Sequence, residues 1–265
     1  MSDLRETVLE AIRMIVNRHP RLAPRIEALA AQAQGRSAQD LADFIEWKRY
    51  QGMDLAEIFT SIYAEGRWGR DEAEPEGYFS GTGTRTPEIA GAYVAALRSF
   101  AAEFGHPPSV VDLGCGDFHI GAQIRPLFGA YTACDIVPGL IERNRQRFGV
   151  LGVDFRCLDI TTDDLPHADV ILVRQVLQHL SNRDIAGFVR RVAGVCRHLV
   201  VTEHWPALDG FTPNAVKPSG SDIRLAQGSG VVLTAPPFNL AVQGERRLCA
   251  VPEVGGVIVT TAYRL

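Results

Sequence analysis

Val110-Val111-Asp112-Leu113-Gly114-Cys115-Gly116-Asp117 is the stretch that decides how the rest of the chain is read. A short β-branched, apolar run passes into two glycines one residue apart, and a helical segment of about 119–127 follows. Gly114 and Gly116 allow the backbone to turn tightly and to approach a ligand without side-chain collision. In open α/β sheets ligands lie beyond the carboxyl ends of the strands, where such a turn sits. Asp135 ends the next apolar run, a position from which an acid accepts hydrogen bonds from two ribose hydroxyls.

Working outward, the pattern alternates. Apolar runs at 109–113, 131–136, 153–158, 169–173 and 199–202 are separated in most cases by helical segments, at 119–127, 138–148 and 182–196. Ser181, with Asp184 three residues on, predicts a capped start for the last helix. Strands alternating with helices imply a parallel sheet covered on both faces. The tail departs from this: 247–251 and 257–263 flank Pro252-Glu253-Val254-Gly255-Gly256 with no helix between, predicting an antiparallel hairpin at one sheet edge. Upstream, Leu4, Val8, Ile12 and Ile15 recur at helical spacing, and Leu41, Phe44, Ile45 and Trp47 mark a further helix. Thr86 and Pro87 predict the cap and first position of another.

The chain has 265 residues, 46% of them apolar, with 27 Lys+Arg against 31 Asp+Glu for a net charge of −4. This mild acidity disfavours a protein that grips nucleic acid through its phosphates. No run reaches the roughly 18 apolar residues of a membrane span, and the start lacks the basic-then-apolar pattern of a secretory signal. Five dispersed cysteines suggest neither a zinc cage nor a disulfide framework. The expectation is a cytoplasmic protein.

A dinucleotide site wants a third glycine where His119 stands, and the anion Asp117 would repel a pyrophosphate. A cationic cofactor suits the acids better. Val-Asp-Leu-Gly-Cys-Gly-Asp resembles the first motif of the class I S-adenosylmethionine-dependent methyltransferases, in their bacterial small-molecule form. The resemblance runs over about 109–265. It implies a Rossmann-like, seven-stranded, mostly parallel sheet with an antiparallel C-terminal edge hairpin, here with an N-terminal helical extension. It also implies S-adenosylmethionine as cofactor. Carried over residue by residue, Asp112, Gly114, Cys115 and Gly116 form the turn, Asp135 takes the ribose and Ile136 neighbours the adenine. Asp159 accepts from the adenine amino group with Ile160 beside it, and Arg174 and Gln175 begin the segment that lines the methionine end. The stretch from Phe59 to Gly83 is similar to the cofactor-covering approach of such enzymes, which places Trp68, Gly81 and Thr82 near the methionine moiety and Arg85 near its carboxylate. The implied organisation is a helical cap at 1–52, a covering loop and lead-in helix at 53–108, and a core at 109–265 with an acceptor-side insertion at 205–239.

If the methyl acceptor is a hydroxyl, a base is useful, and histidine suits the role. His204 and His179 both follow strands at the ligand side. Glu203 beside His204 can orient it or act itself; Asp117, or no dedicated base, remain open. Glu203, His204 and Asp117 have no metal-ligand spacing, so no metal is assigned. Trp205, Phe211 and Phe238 in the insertion offer apolar walls for an acceptor. The leading expectation is O-methylation of a small-molecule hydroxyl, on a sugar or natural product. Alternatives are an N- or C-methyltransferase on a small molecule, RNA or protein, an NAD-dependent oxidoreductase, or a non-catalytic cofactor-binding subunit. The N-terminal helices offer a surface for a homodimer.

Overall fold

In the computed structural model the described residues are 45–71, 77–207 and 210–265. The chain divides into two compact units, Met1–Gln51 and Gly52–Leu265. Of the first, the described part is a helical turn at 45–49; the helices and dimer surface expected before residue 45 lie outside the described residues. The sheet and all that packs on it belong to the second unit.

That unit runs α1 (Leu55–Glu65), α2 (Pro87–Ala102), β1 (Val110–Leu113), α3 (His119–Ile124), β2 (Tyr131–Asp135), α4 (Pro138–Phe148), β3 (Asp154–Cys157), β4 (Ala168–Arg174), α5 (Asn182–Val192), β5 (Cys196–Pro206), β6 (Gly244–Glu253) and β7 (Gly256–Arg264). The seven strands form one sheet in the order β3-β2-β1-β4-β5-β7-β6. Strands β1 to β5 are parallel, and β7 pairs antiparallel with both β5 and β6. The strand order reverses between β1 and β4, which is where an open α/β sheet leaves a crevice.

The alternation of side chains along the strands sorts the residues between the two faces. Val110, Tyr131, Ala133, Val170, Leu172 and Val200 share one face with Leu97 and Phe100 of α2, Ile120 and Ile124 of α3 and Ile141 of α4. Connections β1–β2 and β4–β5 run in opposite directions, so right-handed crossovers put α5 on the other face. There Ile185, Phe188 and Val192 are buried completely.

Local signals hold at the helix ends with two differences. Ser181 caps α5 by accepting from the Asp184 amide, as its sequence predicts. At α2, Pro87 holds the first position, but the Thr86 hydroxyl donates back to the Thr82 carbonyl instead of capping. The α5 helix stops at Val192, short of the expected 196, before Gly194 at φ +81°. β5 is longer than its apolar run, because β7 pairs with it from His198 to Pro206.

The chain between β5 and β6 folds back over the end of β4. Arg224, 1% exposed, anchors it. Its Nε donates to the Ala215 carbonyl at 2.8 Å, Nη1 to that of Gln178 at 3.2 Å, and Nη2 to that of Leu180 and to Asn182 Oδ1, both at 2.8 Å. Those of Gln178 and Leu180 belong to the tight turn after β4, and the guanidinium that holds them is buried away from water. Removing the guanidinium strands them and uncovers the buried Glu203. Arg224→Met is therefore expected to cost about 3–5 kcal/mol, read as the loss in urea unfolding free energy; an unchanged midpoint would count against this anchoring.

Candidate active site

A cavity of about 450 Å³ opens across the carboxyl ends of β3, β2, β1, β4 and β5. Its volume falls in the ordinary range for small-ligand sites. Its floor is the turn after β1. Gly114 and Gly116 have φ of +71° and +55°, and a Cβ on either would collide, with Val176 and with Ser80 respectively. The Gly114 and Cys115 amides donate to the Cys134 carbonyl at 2.8 and 2.9 Å. Asp135 accepts from the Gly116 amide at 3.0 Å through one oxygen and from the Val137 amide at 3.1 Å through the other. Each carboxylate oxygen keeps a further lone pair for a ligand hydroxyl. Asn144, fully buried, holds the Gly116 carbonyl at 2.7 Å.

Asp112 accepts from the Tyr131 hydroxyl at 2.9 Å. Burial raises Asp112 and Asp135 to about 6 each. Asp159 accepts from the amide and hydroxyl of Thr161 through Oδ1, and its Oδ2 makes no bond among the described residues. Ile136 and Ile160 line the cavity beside these acids. Arg174 reaches across to donate to the Gly83 carbonyl at 3.1 Å and lies 5.3 Å from the Tyr93 ring centre, while its Nε is buried without a partner. Gln175, at φ +54°, lines the same wall.

The segment carrying Gly81 and Thr82 covers this turn, and both residues face the cavity. It is fastened through Asp117. That carboxylate accepts from the Ser80 amide at 3.3 Å, the Arg85 guanidinium at 3.0 Å and the His119 amide at 3.1 Å, while the Asp117 amide donates to Ser80 Oγ at 2.8 Å. Arg85 thus sits on Asp117 and is not among the cavity-lining residues. Asp117 is correspondingly a fastening group with its oxygens occupied.

At the β5 end the wall is aromatic. Trp68 stands 5.1 Å from Tyr63, 6.1 Å from Phe59 and 4.9 Å from His179, centre to centre. His179 is held far below the ordinary histidine range, at about 3, by burial first and then by the Lys217 charge. Gln178 accepts the His204 amide proton at 3.1 Å through Oε1, so its Nε2 carries the hydrogens that face His179 Nε2 at 3.4 Å. His204 lines the cavity, neither ring nitrogen is paired with a described residue, and burial lowers its pKa.

Glu203 is elsewhere. Neighbours on a strand point to opposite faces, so it cannot orient His204. Its Oε1 accepts from the Leu177 amide at 3.2 Å, and Oε2 is buried without a partner. The offered apolar walls are also displaced: Trp205 packs on Phe211 at 5.8 Å and donates to the Val231 carbonyl, Phe238 is buried, and none of the three lines the cavity. Ser80, Asn144 and Arg224 are structural supports that sequence reasoning missed. Ser80 alone had a local signal, beside Gly81-Thr82-Gly83. Among the described residues no His, Cys, Asp or Glu trio is placed to hold a metal ion, and no helix is long and apolar enough to cross a membrane.

Comparison with known proteins agrees with this geometry. Residues 111–198 match the family described as a methyltransferase domain. The malonyl-(acyl-carrier protein) O-methyltransferase of Anoxybacillus flavithermus is 27% identical over 107 residues, 39% of this chain and 41% of that protein. Its counterpart from Acetivibrio thermocellus is 31% identical over 86 residues, 31% and 30% of the two chains. The chain thus spans less than half the length of the curated relatives it matches. Solved structures of like fold include the N-methyltransferase NodS from Bradyrhizobium japonicum WM9 with S-adenosyl-L-homocysteine, at TM-score 0.54, 15% identity, and coverage of 77% of this chain and 97% of that one. Another is 1,6-didemethyltoxoflavin-N1-methyltransferase of Burkholderia thailandensis, at TM-score 0.50, 20% identity, and coverage of 79% and 86%. The Rossmann-like sheet with its antiparallel edge is shared with these solved structures. Residues 111–198 carry the match to a methyltransferase domain, and the described fold is that of these solved methyltransferases.

Glu203 makes the site's support sensitive to pH. Burial raises it from 4.5 to about 8, with Arg224 pulling the other way. Unfolded, the carboxyl ionises near 4.5; folded, it keeps its proton to about 8. The folded state then binds more protons in that window, and this contribution to stability falls as pH rises through it. Glu203→Gln is expected to flatten the decline in urea midpoint between about pH 6.5 and 8.5, where Asp112 and Asp135 have already titrated. An equal slope in both proteins would contradict the buried, protonated carboxyl.

Proposed function

We propose that this protein transfers a methyl group from S-adenosylmethionine to a hydroxyl oxygen of a small molecule, with His204 as the base. The observation that carries this reading is one cavity with two chemically different ends: buried acids and a glycine turn at β1–β3, and an unpaired histidine among aromatic rings at β5.

The residues present fit the cofactor. Asp135 would hold the ribose hydroxyls, and Ile136, Asp159 and Ile160 the adenine. Asp112, Arg174, Gln175, Gly81, Thr82 and Trp68 would enclose the methionine end, where the unpartnered Arg174 Nε is a donor suited to a carboxylate. Two acids raised to about 6 by burial gain ionisation beside a cation, so the pocket favours a sulfonium over a neutral nucleoside. When bound, S-adenosylmethionine supplies a sulfonium-borne methyl group that passes to the acceptor oxygen and leaves a neutral thioether.

His204 takes the hydroxyl proton. Its imidazole is neutral at pH 7, because burial disfavours the charged form. His179 is a poorer candidate, since a group titrating at about 3 holds a proton too weakly. Its ring serves as wall. Much of the rate enhancement then comes from holding the acceptor oxygen in line with the methyl. The names of the curated relatives, both O-methyltransferases, favour oxygen as the acceptor atom.

Titration with S-adenosylhomocysteine and with NAD tests the reading, and tight NAD binding without the thioether would overturn it. Asp135→Ala is expected to weaken S-adenosylhomocysteine at least tenfold by calorimetry, since charge-assisted hydrogen bonds are worth about 1.5–3 kcal/mol each. Wild-type affinity would remove the ribose assignment. His204→Ala should keep the thioether and lose turnover by about 10²–10⁴-fold; full turnover would eliminate it as the base.

A further inference from the structure

We propose that the β5-side half of the cavity takes a planar aromatic hydroxyl, a phenol-type acceptor, in preference to a sugar or a cationic amine. This rests on the methyl-transfer reading above and narrows it to a substrate class.

The first ground is the shape and composition of the wall. Phe59 and Tyr63 stand one turn apart on α1, whose start is fixed by a capping box between Asp54 and Glu57. With Trp68 and His179 they present four rings to the cavity, Tyr63 reaching the glycine turn through its hydroxyl, 3.1 Å from Ser80 Oγ. Trp68 is the hub and is not free to swing, because its Nε1 donates to the Ser221 carbonyl at 3.2 Å. Leu180 and Ile223 complete the surface. Fixed rings at mutual tilts of 35° to 89° suit a flat guest that offers both a face and an edge.

The second ground is hydrogen-bond accounting. Apart from the ring nitrogens of His204 and His179 Nδ1, the side-chain polar atoms named at this end are already engaged. Gln178 Oε1 accepts from the His204 amide, Trp68 Nε1 donates to the Ser221 carbonyl, and Ser221 Oγ accepts from the Arg67 guanidinium at 3.1 Å. A sugar brings several hydroxyls that would be buried without partners, which is costly. A phenol brings one, and His204 can receive it.

The third ground is charge. Lys217 Nζ lies 3.3 Å from the His179 carbonyl, and Arg224 donates to the carbonyls on either side. The two buried cations behind the ring wall oppose a cationic amine and favour a hydroxyl that sheds its proton. Their field is felt by His179, whose protonated form both disfavour. Asp222 also lines this end, but it is exposed to solvent, where its charge is screened.

The test loads the full chain with S-adenosylhomocysteine and titrates four probes by calorimetry: 2-naphthol, decahydro-2-naphthol, methyl glucoside and 2-naphthylmethylamine. The expected result is 2-naphthol binding at least tenfold tighter than each of the others. Phe59→Leu, which keeps bulk but removes a ring, should weaken 2-naphthol at least fivefold while S-adenosylhomocysteine affinity stays within twofold. Comparable affinity for the saturated alcohol, the glucoside or the amine would overturn the proposal. So would 2-naphthol binding that is unaffected by Phe59→Leu and by Trp68→Leu alike. The two readings fail separately. Absence of thioether binding removes the methyl-transfer reading, and 2-naphthol is then titrated into the chain alone, where failure to bind overturns the aromatic site too. Thioether binding with no affinity for 2-naphthol removes only the aromatic site.

Discussion

The structure depends on how the amides of one turn are satisfied. Between β1 and α3 the backbone leaves the sheet, and its N–H groups have no ladder to join. The Cys134 carbonyl takes two of them, Asp135 takes a third and Asp117 takes the amide of His119. These acceptors come from the neighbouring strand and from the turn itself, so the turn is rigid before any ligand arrives. Burying carboxylates is costly unless they are hydrogen-bonded; here the cost is met by backbone donors. The same acids then stand ready, with spare lone pairs, at the place where the strand order reverses.

Much of this was legible along the chain because it is local. The apolar runs ending in Asp112–Gly116 and Asp135 announce strands, a turn and an acid within a few residues of one another, and the structure has β1 and β2 there. The unpaired tail runs likewise gave β6 and β7. What was not legible depends on distant partners. β5 outgrows its apolar run because β7 lies beside it. Arg85 is drawn to Asp117, 32 residues away, and Arg224 to the turn after β4, 42 to 47 residues away; neither pairing has a signature in spacing. Glu203 and His204 illustrate a subtler case. Adjacent letters suggested one cluster, while the pleat of β5 sends one side chain to each face.

That division has a chemical meaning. On the face of α5, Glu203 and Arg224 grip opposite polarities of the same turn, one taking the Leu177 N–H and the other the carbonyls that follow. On the cavity side, Gln178 from that turn holds the backbone of His204. A buried guanidinium and a buried carboxyl outside the cavity therefore fix the residues that line it. The acidity first noted in the composition matters through its position. Asp112 and Asp135 lie in the cavity, Asp117 fastens its cover, and Glu203 braces it from behind.

Two covers close on this cavity, and they are fastened unequally. The insertion is tied by Arg224, which reaches several carbonyls with almost no solvent contact. The segment around Gly81 is tied by Arg85, whose side chain is 25% exposed and whose second partner, Asp71, stands 3.9 Å away. Water can replace the bonds of the second fastening far more cheaply than those of the first. The cheaper opening is therefore on the Gly81 side, next to the acids.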